Sequence, residues 1–383
     1  MPYASLVTAA FTLAAVFGAC SSDSGEDAPT AVPTALAPSA YAERGAFGVG
    51  VTTLELVDTS RPTEANRDFA GSAERKLPVE VWYPAGPSSQ TPEQRDAPLD
   101  RTGAPYPLIM FAHGYSATNR QSPSYTQHLA SRGYVVASIQ FPLSSAGAPG
   151  GPRISAVLDQ PGDVSFVIDS LLALEDGHAL AGAIDAEAIG MSGHSLGGLT
   201  TLLTAYGEDR DDRLRAVAPI SPPACFIGDG FAGDGFAASS IPIMVIGGSK
   251  ELIVSPASIR RAYDIAPAPR YHAELIGADH IRFADVAIED SQLPGVVQNI
   301  ARGDLVGDAT RIAEALSGNV ATCAMVAEAN ADTLLEAERQ RELLRIYATP
   351  FFDAYLRGDE DALRFLQETL PGLPEARFEF QAK

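Results

Sequence analysis

The chain has 383 residues, of which 46% are hydrophobic and 20% are charged, a composition typical of a globular protein with a large core. Its 27 basic and 48 acidic residues give a formal net charge of -21, which argues against binding to nucleic acid and against charge-driven adsorption to anionic lipid. The three cysteines, Cys20, Cys225 and Cys323, include no Cys-x-x-Cys pair, so no structural metal site is expected.

The N-terminal segment has the pattern of an export signal. Residues 4–19 are continuously apolar and precede Cys20 and a run of small residues. Because the ending FGAC is similar to a bacterial lipoprotein box, residues 1–20 are predicted to be a lipoprotein-like signal peptide. Cys20 would then be lipidated and attach a secreted, periplasmic or outer-membrane protein to a membrane. No Lys or Arg precedes the apolar run, so an uncleaved anchor and a plain secretory signal stay open as alternatives. Residues 21–42, rich in Ser, Asp, Ala and Pro, are predicted to form a disordered tether.

From residue 43 to residue 383, short β-rich runs alternate with helical stretches, which predicts an α/β domain with a mostly parallel sheet and helices on both faces. The predicted strands cover residues 47–58, 77–84, 107–114, 134–142, 186–195, 214–222, 241–248 and 270–280, and the first two are expected to be antiparallel. The predicted helices cover residues 125–133, 163–175, 196–207 and 339–358. The acidic, helix-prone stretch 284–338 is expected either to cap or rim a pocket or to be solvated packing.

The stretch GHSLGG places Ser195 between glycines, after the predicted strand 186–195 and before the predicted helix 196–207. This is the strand–turn–helix context of a Gly-x-Ser-x-Gly nucleophile elbow, in which the glycines permit a tight turn and the helix N-terminus favours developing negative charge. The alternative is a glycine-rich loop with an incidental serine. The context favours Ser195 as a nucleophile.

A serine nucleophile needs a base, and the chain has six histidines. His194 lies on the elbow and His113 precedes the turn after a predicted strand. His128 and His178 lie upstream in a helix and a loop, and His272 lies inside a predicted strand. His280 lies just past the last predicted strand, where a loop can bring its imidazole over the elbow. The chain order nucleophile, acid, histidine also agrees with His280 as the base. The alternative is a surface-loop histidine.

The third member of such a triad must orient the imidazole and stabilise its protonated form. Glu251 follows a predicted strand and can reach the loop of His280, so we expect it to be the acid. The rivals Asp229 and Asp234 lie in a glycine-rich loop after the preceding strand. Asp279 is a further rival, but its adjacency to the histidine is a poor geometry for holding the ring. The alternative for Glu251 itself is an exposed loop carboxylate.

An oxyanion hole needs two backbone N–H donors. Leu196, directly after the candidate nucleophile, supplies one, and the turn HGYSA after the strand 107–114 supplies the other, at Tyr115. The side chain of Tyr115 could also line an acyl pocket, or be an ordinary loop aromatic.

If Cys20 is lipidated, Cys225 and Cys323 remain as a pair in an oxidising compartment, where they can form a disulfide. The alternative is two buried free thiols.

With these residues in place, the sequence resembles the α/β-hydrolase superfamily over about residues 43–383. More narrowly, it resembles bacterial dienelactone-hydrolase-like proteins akin to platelet-activating factor acetylhydrolase. The resemblance rests on FGVGVTTLELVD, LPVEVWYP, FAHGY, FPLSSAGAPGG, GHSLGG and GADHIRFAD. It implies Ser195 as nucleophile, His280 as base, and Tyr115 and Leu196 as oxyanion donors. The animal acetylhydrolases carry their acid after the strand that corresponds to 214–222, where this chain has APISPPA. Bacterial relatives and cutinase-like enzymes place an Asp after the next strand, where this chain has Glu251.

The sequence therefore predicts a secreted serine carboxylic-ester hydrolase that needs no metal or organic cofactor. The resemblance implies short-acyl or phospholipid-type esters as substrates, and a polyester such as polyethylene terephthalate as the second possibility. A peptidase or acyltransferase would use the same triad. A non-catalytic surface-binding lipoprotein is the alternative of another class.

Overall fold

A computed structural model describes residues 37–86, 92–236, 239–251, 253–286, 305–319, 323 and 334–382, all of which belong to the unit Ala35–Lys383. The predicted signal peptide with Cys20 lies outside the described residues, as does the tether up to residue 36. No helix in the described part of the chain is long and apolar enough to cross a membrane.

The described strands form a ten-stranded sheet in the order β10-β9-β8-β7-β6-β4-β5-β2-β1-β3. Their bounds are β1 Gly48–Asp58, β2 Arg75–Ala85, β3 Gln94–Arg95, β4 Tyr106–Ala112, β5 Val135–Ile139, β6 Ile184–His194, β7 Leu214–Ile220, β8 Ile243–Gly248, β9 Arg270–Leu275 and β10 Ala376–Gln381. The strands β4 to β9 are mutually parallel, whereas β1 and β2 pair antiparallel, as predicted. The sequence analysis missed β3 and β10.

The helices are α1 Pro38–Ala42, α2 Pro123–Ser131, α3 Gln160–Leu172, α4 Leu196–Tyr206, α5 Asp229–Gly235, α6 Pro256–Ile265, α7 Leu305–Ala315, α8 Ala337–Leu356 and α9 Glu360–Arg364. The four predicted helices correspond to α2, α3, α4 and α8. The predicted strand 270–280 is too long, because the chain turns after Leu275 through Gly277, whose φ is +80°.

Helices cover both faces of the sheet, as predicted. Within β4, Leu108 and Met110 belong to one buried cluster, which also holds residues of α3, α4 and α6. The alternating residues Ile109 and Phe111 belong to a second cluster with residues of α2 and α8. Because successive strand residues point to opposite faces, these are the two sides of one sheet.

The prediction of a tether up to residue 42 is wrong at its C-terminal end. Pro38 begins α1, and Tyr41 is buried with its ring centroid 4.6 Å from that of Phe365. A buried aromatic ring supplies the packing that orders this short helix.

The strand order reverses between β4 and β6, since the chain leaves β4 for β5 on one side and returns to β6 on the other. In such sheets ligands bind outside the carboxyl ends of the strands at this switch point. Tyr115 follows β4 and Ser195 follows β6, so the fold brings these two predicted site residues to the same place.

Candidate active site

Ser195 lies on the sharp turn between β6 and α4. Its φ is 57° and its ψ is -118°, a backbone conformation that is strained for a serine. The turn is held by a hydrogen bond of 2.8 Å from the Ser195 N–H to the carbonyl oxygen of Ile220, at the end of β7. A strained serine between a strand and a helix is the geometry of a nucleophile elbow.

The glycines of the elbow are required by close backbone contacts. A Cβ atom at Gly193 would lie 2.2 Å from the carbonyl oxygen of Gly197, and one at Gly197 would lie 2.0 Å from that of Ala112 in β4. These contacts explain the Gly-x-Ser-x-Gly pattern, and they press the start of α4 against the end of β4.

His280 and Glu251 form a buried pair. The Nδ1 atom of His280 lies 2.6 Å from Oε2 of Glu251, and each residue is 2% exposed. The other carboxylate oxygen of Glu251 accepts a hydrogen bond of 2.5 Å from the hydroxyl of Ser221 and one of 3.4 Å from the N–H of Gly248. Because a buried carboxylate without partners is strongly destabilising, these donors are needed to keep Glu251 in place.

The loop that holds Glu251 is tied to the loop before His280 by backbone contacts. The N–H of Lys250 donates to the carbonyl oxygen of Ala278 over 2.9 Å. A Cβ atom at Gly248 would lie 2.2 Å from that same oxygen, so only glycine fits there. The two loops therefore approach closely enough for the acid and the imidazole to meet.

Two of the rival acids, Asp229 and Asp279, have other partners in the described structure. Asp229 begins α5, and its side chain is 94% exposed and pairs with Arg261. Asp279 is buried, but its Oδ1 accepts hydrogen bonds from the N–H groups of Ile281 and Arg282, so it caps the turn that follows the histidine. The side chain of Asp234 lies outside the described part of the structure.

A chain of hydrogen bonds joins the turn after β4 to the backbone of His280. The Gly114 N–H donates to Oε1 of Gln121 over 2.6 Å, and Nε2 of Gln121 lies 2.6 Å from Nδ1 of His194. The His194 Nε2 atom lies 2.9 Å from the carbonyl oxygen of His280. Burial lowers the pKa of His194 well below its usual range, so the ring is neutral. A neutral ring fits these partners when Nε2 donates and Nδ1 accepts.

His113 stabilises the same turn. Its Nδ1 lies 2.8 Å from the carbonyl oxygen of Gly114, and its Nε2 accepts a hydrogen bond of 3.3 Å from the N–H of Phe141. Burial lowers the pKa of His113 to about 4, which keeps the ring neutral at pH 7.

The N–H groups of Tyr115 and Leu196 have no acceptor among the described residues. Both residues line a cavity of about 330 Å³, together with Ser195 and His280. Free N–H groups beside a hydroxyl are suited to binding an oxyanion, and Leu196 also begins α4. The Tyr115 hydroxyl donates to the carbonyl oxygen of Pro152 over 3.2 Å, so its side chain is anchored at the cavity wall.

The rest of the cavity is mainly apolar, with Ile154, Phe226, Val254, Ile281 and Ala309 among its lining residues. Cys225 and Cys323 also line it and are joined in a disulfide, with their Cα atoms 5.2 Å apart.

The family model for PET hydrolase-like proteins matches residues 97–295, just over half of the chain. The chain belongs to the PET hydrolase-like family. Platelet-activating factor acetylhydrolase from Canis lupus familiaris is 30% identical over a region that covers 32% of this chain. That match spans 36% of the relative, little more than a third of its length. Ferulic acid esterase from Streptomyces cinnamoneus has a similar fold, with a TM-score of 0.58 at 21% identity, over 88% of this chain and 96% of that one.

Family membership and fold confirm the α/β-hydrolase resemblance and place the chain among esterase-type hydrolases. The sequence analysis missed Gln121 and Ser221. Ser221 follows the buried strand β7, and this position at the carboxyl end of a parallel strand was the available signal. Gln121 lies in a loop and gave no comparable signal.

We expect Ser221→Ala to lower kcat/KM on a soluble ester by about tenfold or more, mainly through kcat. Its hydroxyl is the nearer of the two donors to Oε1 of Glu251, the oxygen that does not face His280, and a hydrogen bond to a charged group contributes about 1.5–3 kcal/mol. The measurement is steady-state hydrolysis of p-nitrophenyl acetate.

Ser192→Ala is the matched control, since the Ser192 hydroxyl is also buried but donates to the carbonyl oxygen of Ala218. Equal losses in the alanine variants of Ser192 and Ser221 would show a general effect of removing a buried hydroxyl.

Proposed function

We propose that the protein is a serine carboxylic-ester hydrolase with Ser195 as nucleophile, His280 as base and Glu251 as acid. The observation that carries the proposal is that a strained serine lines one cavity together with a histidine that is paired with a buried carboxylate. A protein that only binds a ligand has no need of this combination.

In the proposed reaction, the Ser195 hydroxyl attacks the ester carbonyl carbon while Nε2 of His280 takes the hydroxyl proton. Negative charge develops on the carbonyl oxygen, and the N–H groups of Tyr115 and Leu196 stabilise it. When the carbon–oxygen bond breaks, the alcohol takes the proton from His280 and leaves an acyl-serine. Water then attacks the acyl carbon and gives a proton to His280, which returns it to Ser195 as the acid departs. Glu251 stabilises the imidazolium form in both halves of the reaction.

The apolar lining of the cavity supports uncharged esters with short acyl groups as substrates. The partial match to platelet-activating factor acetylhydrolase also supports phospholipid-type esters. The second candidate substrate is a polyester, which the PET hydrolase-like family description supports.

We expect a fluorophosphonate probe to label the protein once, at Ser195, and Ser195→Ala to abolish both labelling and hydrolysis of p-nitrophenyl esters. The loss of kcat should be about a thousandfold or more, because the nucleophile is removed. Intact-mass spectrometry measures the labelling, and a series of p-nitrophenyl esters from acetate to octanoate measures the hydrolysis. Release of soluble products from polyethylene terephthalate film by the wild type and Ser195→Ala tests whether a polyester is a substrate.

Ser116→Ala is the control for this experiment, because Ser116 lines the same cavity and is exposed. A folded wild-type protein that neither reacts with the probe nor hydrolyses any ester would contradict the proposal and favour a binding protein.

Glu251→Gln should lower kcat by about a thousandfold or more, because the amide keeps the shape but not the charge that stabilises the imidazolium. Asp229→Asn should leave kcat unchanged, since Asp229 pairs with Arg261 at the surface. Ester hydrolysis by both variants, with circular dichroism as a check on folding, measures this difference. Full activity in Glu251→Gln would move the acid role to another residue.

We also propose that the protein is exported and attached to a membrane by lipid at Cys20. The apolar run 4–19 supports export, and the disulfide between Cys225 and Cys323 is typical of an oxidising compartment.

An alkyne-labelled fatty acid fed to cells that express the full chain should be incorporated into the protein, and Cys20→Ala should lose the label. Labelling that persists in Cys20→Ala, or is absent from the wild type, would contradict lipidation at this residue.

A further inference from the structure

The helix α7 lies at the edge of the candidate cavity, although it is distant in sequence from Ser195. Ala309 in α7 and Cys323 beyond it both line the cavity. Ile312, on the next turn of α7, is fully buried, and Ala309 is 8% exposed. The helix therefore packs on the domain and presents a small side chain to the cavity.

The C-terminal end of α7 is fixed to the segment after β7. The Gly228 N–H donates to the carbonyl oxygen of Leu316 over 2.9 Å. A Cβ atom at Gly228 would lie 1.7 Å from the carbonyl oxygen of Ser317, and one at Gly318 would lie 1.9 Å from that of Phe226. Only glycines permit this backbone approach, and the disulfide adds a covalent attachment nearby.

The N-terminal half of α7 is fixed at a second place. The Asp308 carboxylate accepts hydrogen bonds from the N–H of Ile154 over 3.0 Å and from the hydroxyl of Ser155 over 2.8 Å. Ile154 itself lines the cavity. Because both halves of α7 are attached, Ala309 is held at a set position relative to Leu196 and the other lining residues.

The attachments of α7 also decide which part of an ester it would meet. His280 must give its proton to the leaving oxygen, so the alcohol portion lies toward the histidine loop. The contacts of α7 are instead with the turn Ile154–Asp159 and the segment Ala224–Phe226. The acyl portion therefore extends toward α7. Among the described lining residues, none is Asp, Glu, Lys or Arg, which suits a hydrocarbon chain.

We propose that α7 is a fixed wall of the acyl pocket and that Ala309 limits the length of the acyl chain. The inference rests on the proposed function and names its substrate class: esters of an uncharged hydrocarbon acyl group that extends toward α7. A polymer chain that continues beyond the acyl carbon would meet this wall.

The experiment compares Ala309→Leu and Ala309→Phe with the wild type on p-nitrophenyl acetate, butyrate, hexanoate and octanoate. We expect kcat/KM for octanoate to fall by about tenfold or more, and more in the Phe variant, because added volume displaces the end of the chain. Acetate hydrolysis should change by less than about twofold. Ala309→Gly should shift the preference the other way, toward octanoate.

The matched control is Ala315→Phe, the same substitution at an exposed position of the same helix. It should leave the acyl-length profile unchanged. Equal losses for all four esters, or an unchanged profile in all three Ala309 variants, would overturn the inference. Acetates of butanol, hexanol and octanol are hydrolysed in parallel, and a change confined to these esters would also overturn the inference, because it would place α7 on the alcohol side.

The same assays separate the two proposals. The wild type could be labelled at Ser195 and hydrolyse p-nitrophenyl acetate while the Ala309 variants keep its acyl-length profile. The proposed hydrolase function would then be supported, and the proposed role of α7 would be contradicted. If the wild type is neither labelled nor active, the proposed function itself fails.

Discussion

The hydrogen bond between Glu251 and His280 is the contact on which the site depends. The carboxylate of Glu251 is buried in this contact, and a buried ionised group without partners would be destabilising by several kcal/mol. The fold meets this requirement with a second set of donors, from Ser221 at the end of β7 and Gly248 at the end of β8. The ends of β7 and β8 and the loop after β9 thus converge on the side chain of Glu251.

The neutral ring of His194 keeps one side of the proposed base free of competing charge. The ring of His194 lies beside that of His280, with centroids 4.8 Å apart and the planes tilted by 44°, and a charged ring there would oppose formation of the imidazolium. Burial keeps His194 neutral, and its hydrogen bonds to Gln121 and to the His280 backbone use both ring nitrogens. His194, the residue beside the proposed nucleophile, therefore connects two loops.

Much of the fold and the main site residues can be predicted from the sequence because their signals are local. The apolar runs identify the central strands, and the glycines around Ser195 identify the elbow. The edge strand β10 has a visible alternation of Phe378 and Phe380 with charged residues, but short helical segments precede it and it pairs antiparallel with β9. The attachment of α7 depends on backbone contacts across more than eighty residues at Gly228 and Gly318, for which no local pattern exists.

The disulfide has a consequence for the unfolded chain as well as for the cavity. Cys225 and Cys323 are 98 residues apart, and the loop they close contains Glu251 and His280 but not Ser195. In the chain-entropy description, closing a loop of this size lowers the free energy of folding by about 4–5 kcal/mol. The proposed acid and base thus belong to a segment that stays covalently closed when the oxidised chain unfolds, while the proposed nucleophile comes from the open part of the chain. Thiol reductants would therefore act unequally on the two halves of the candidate site.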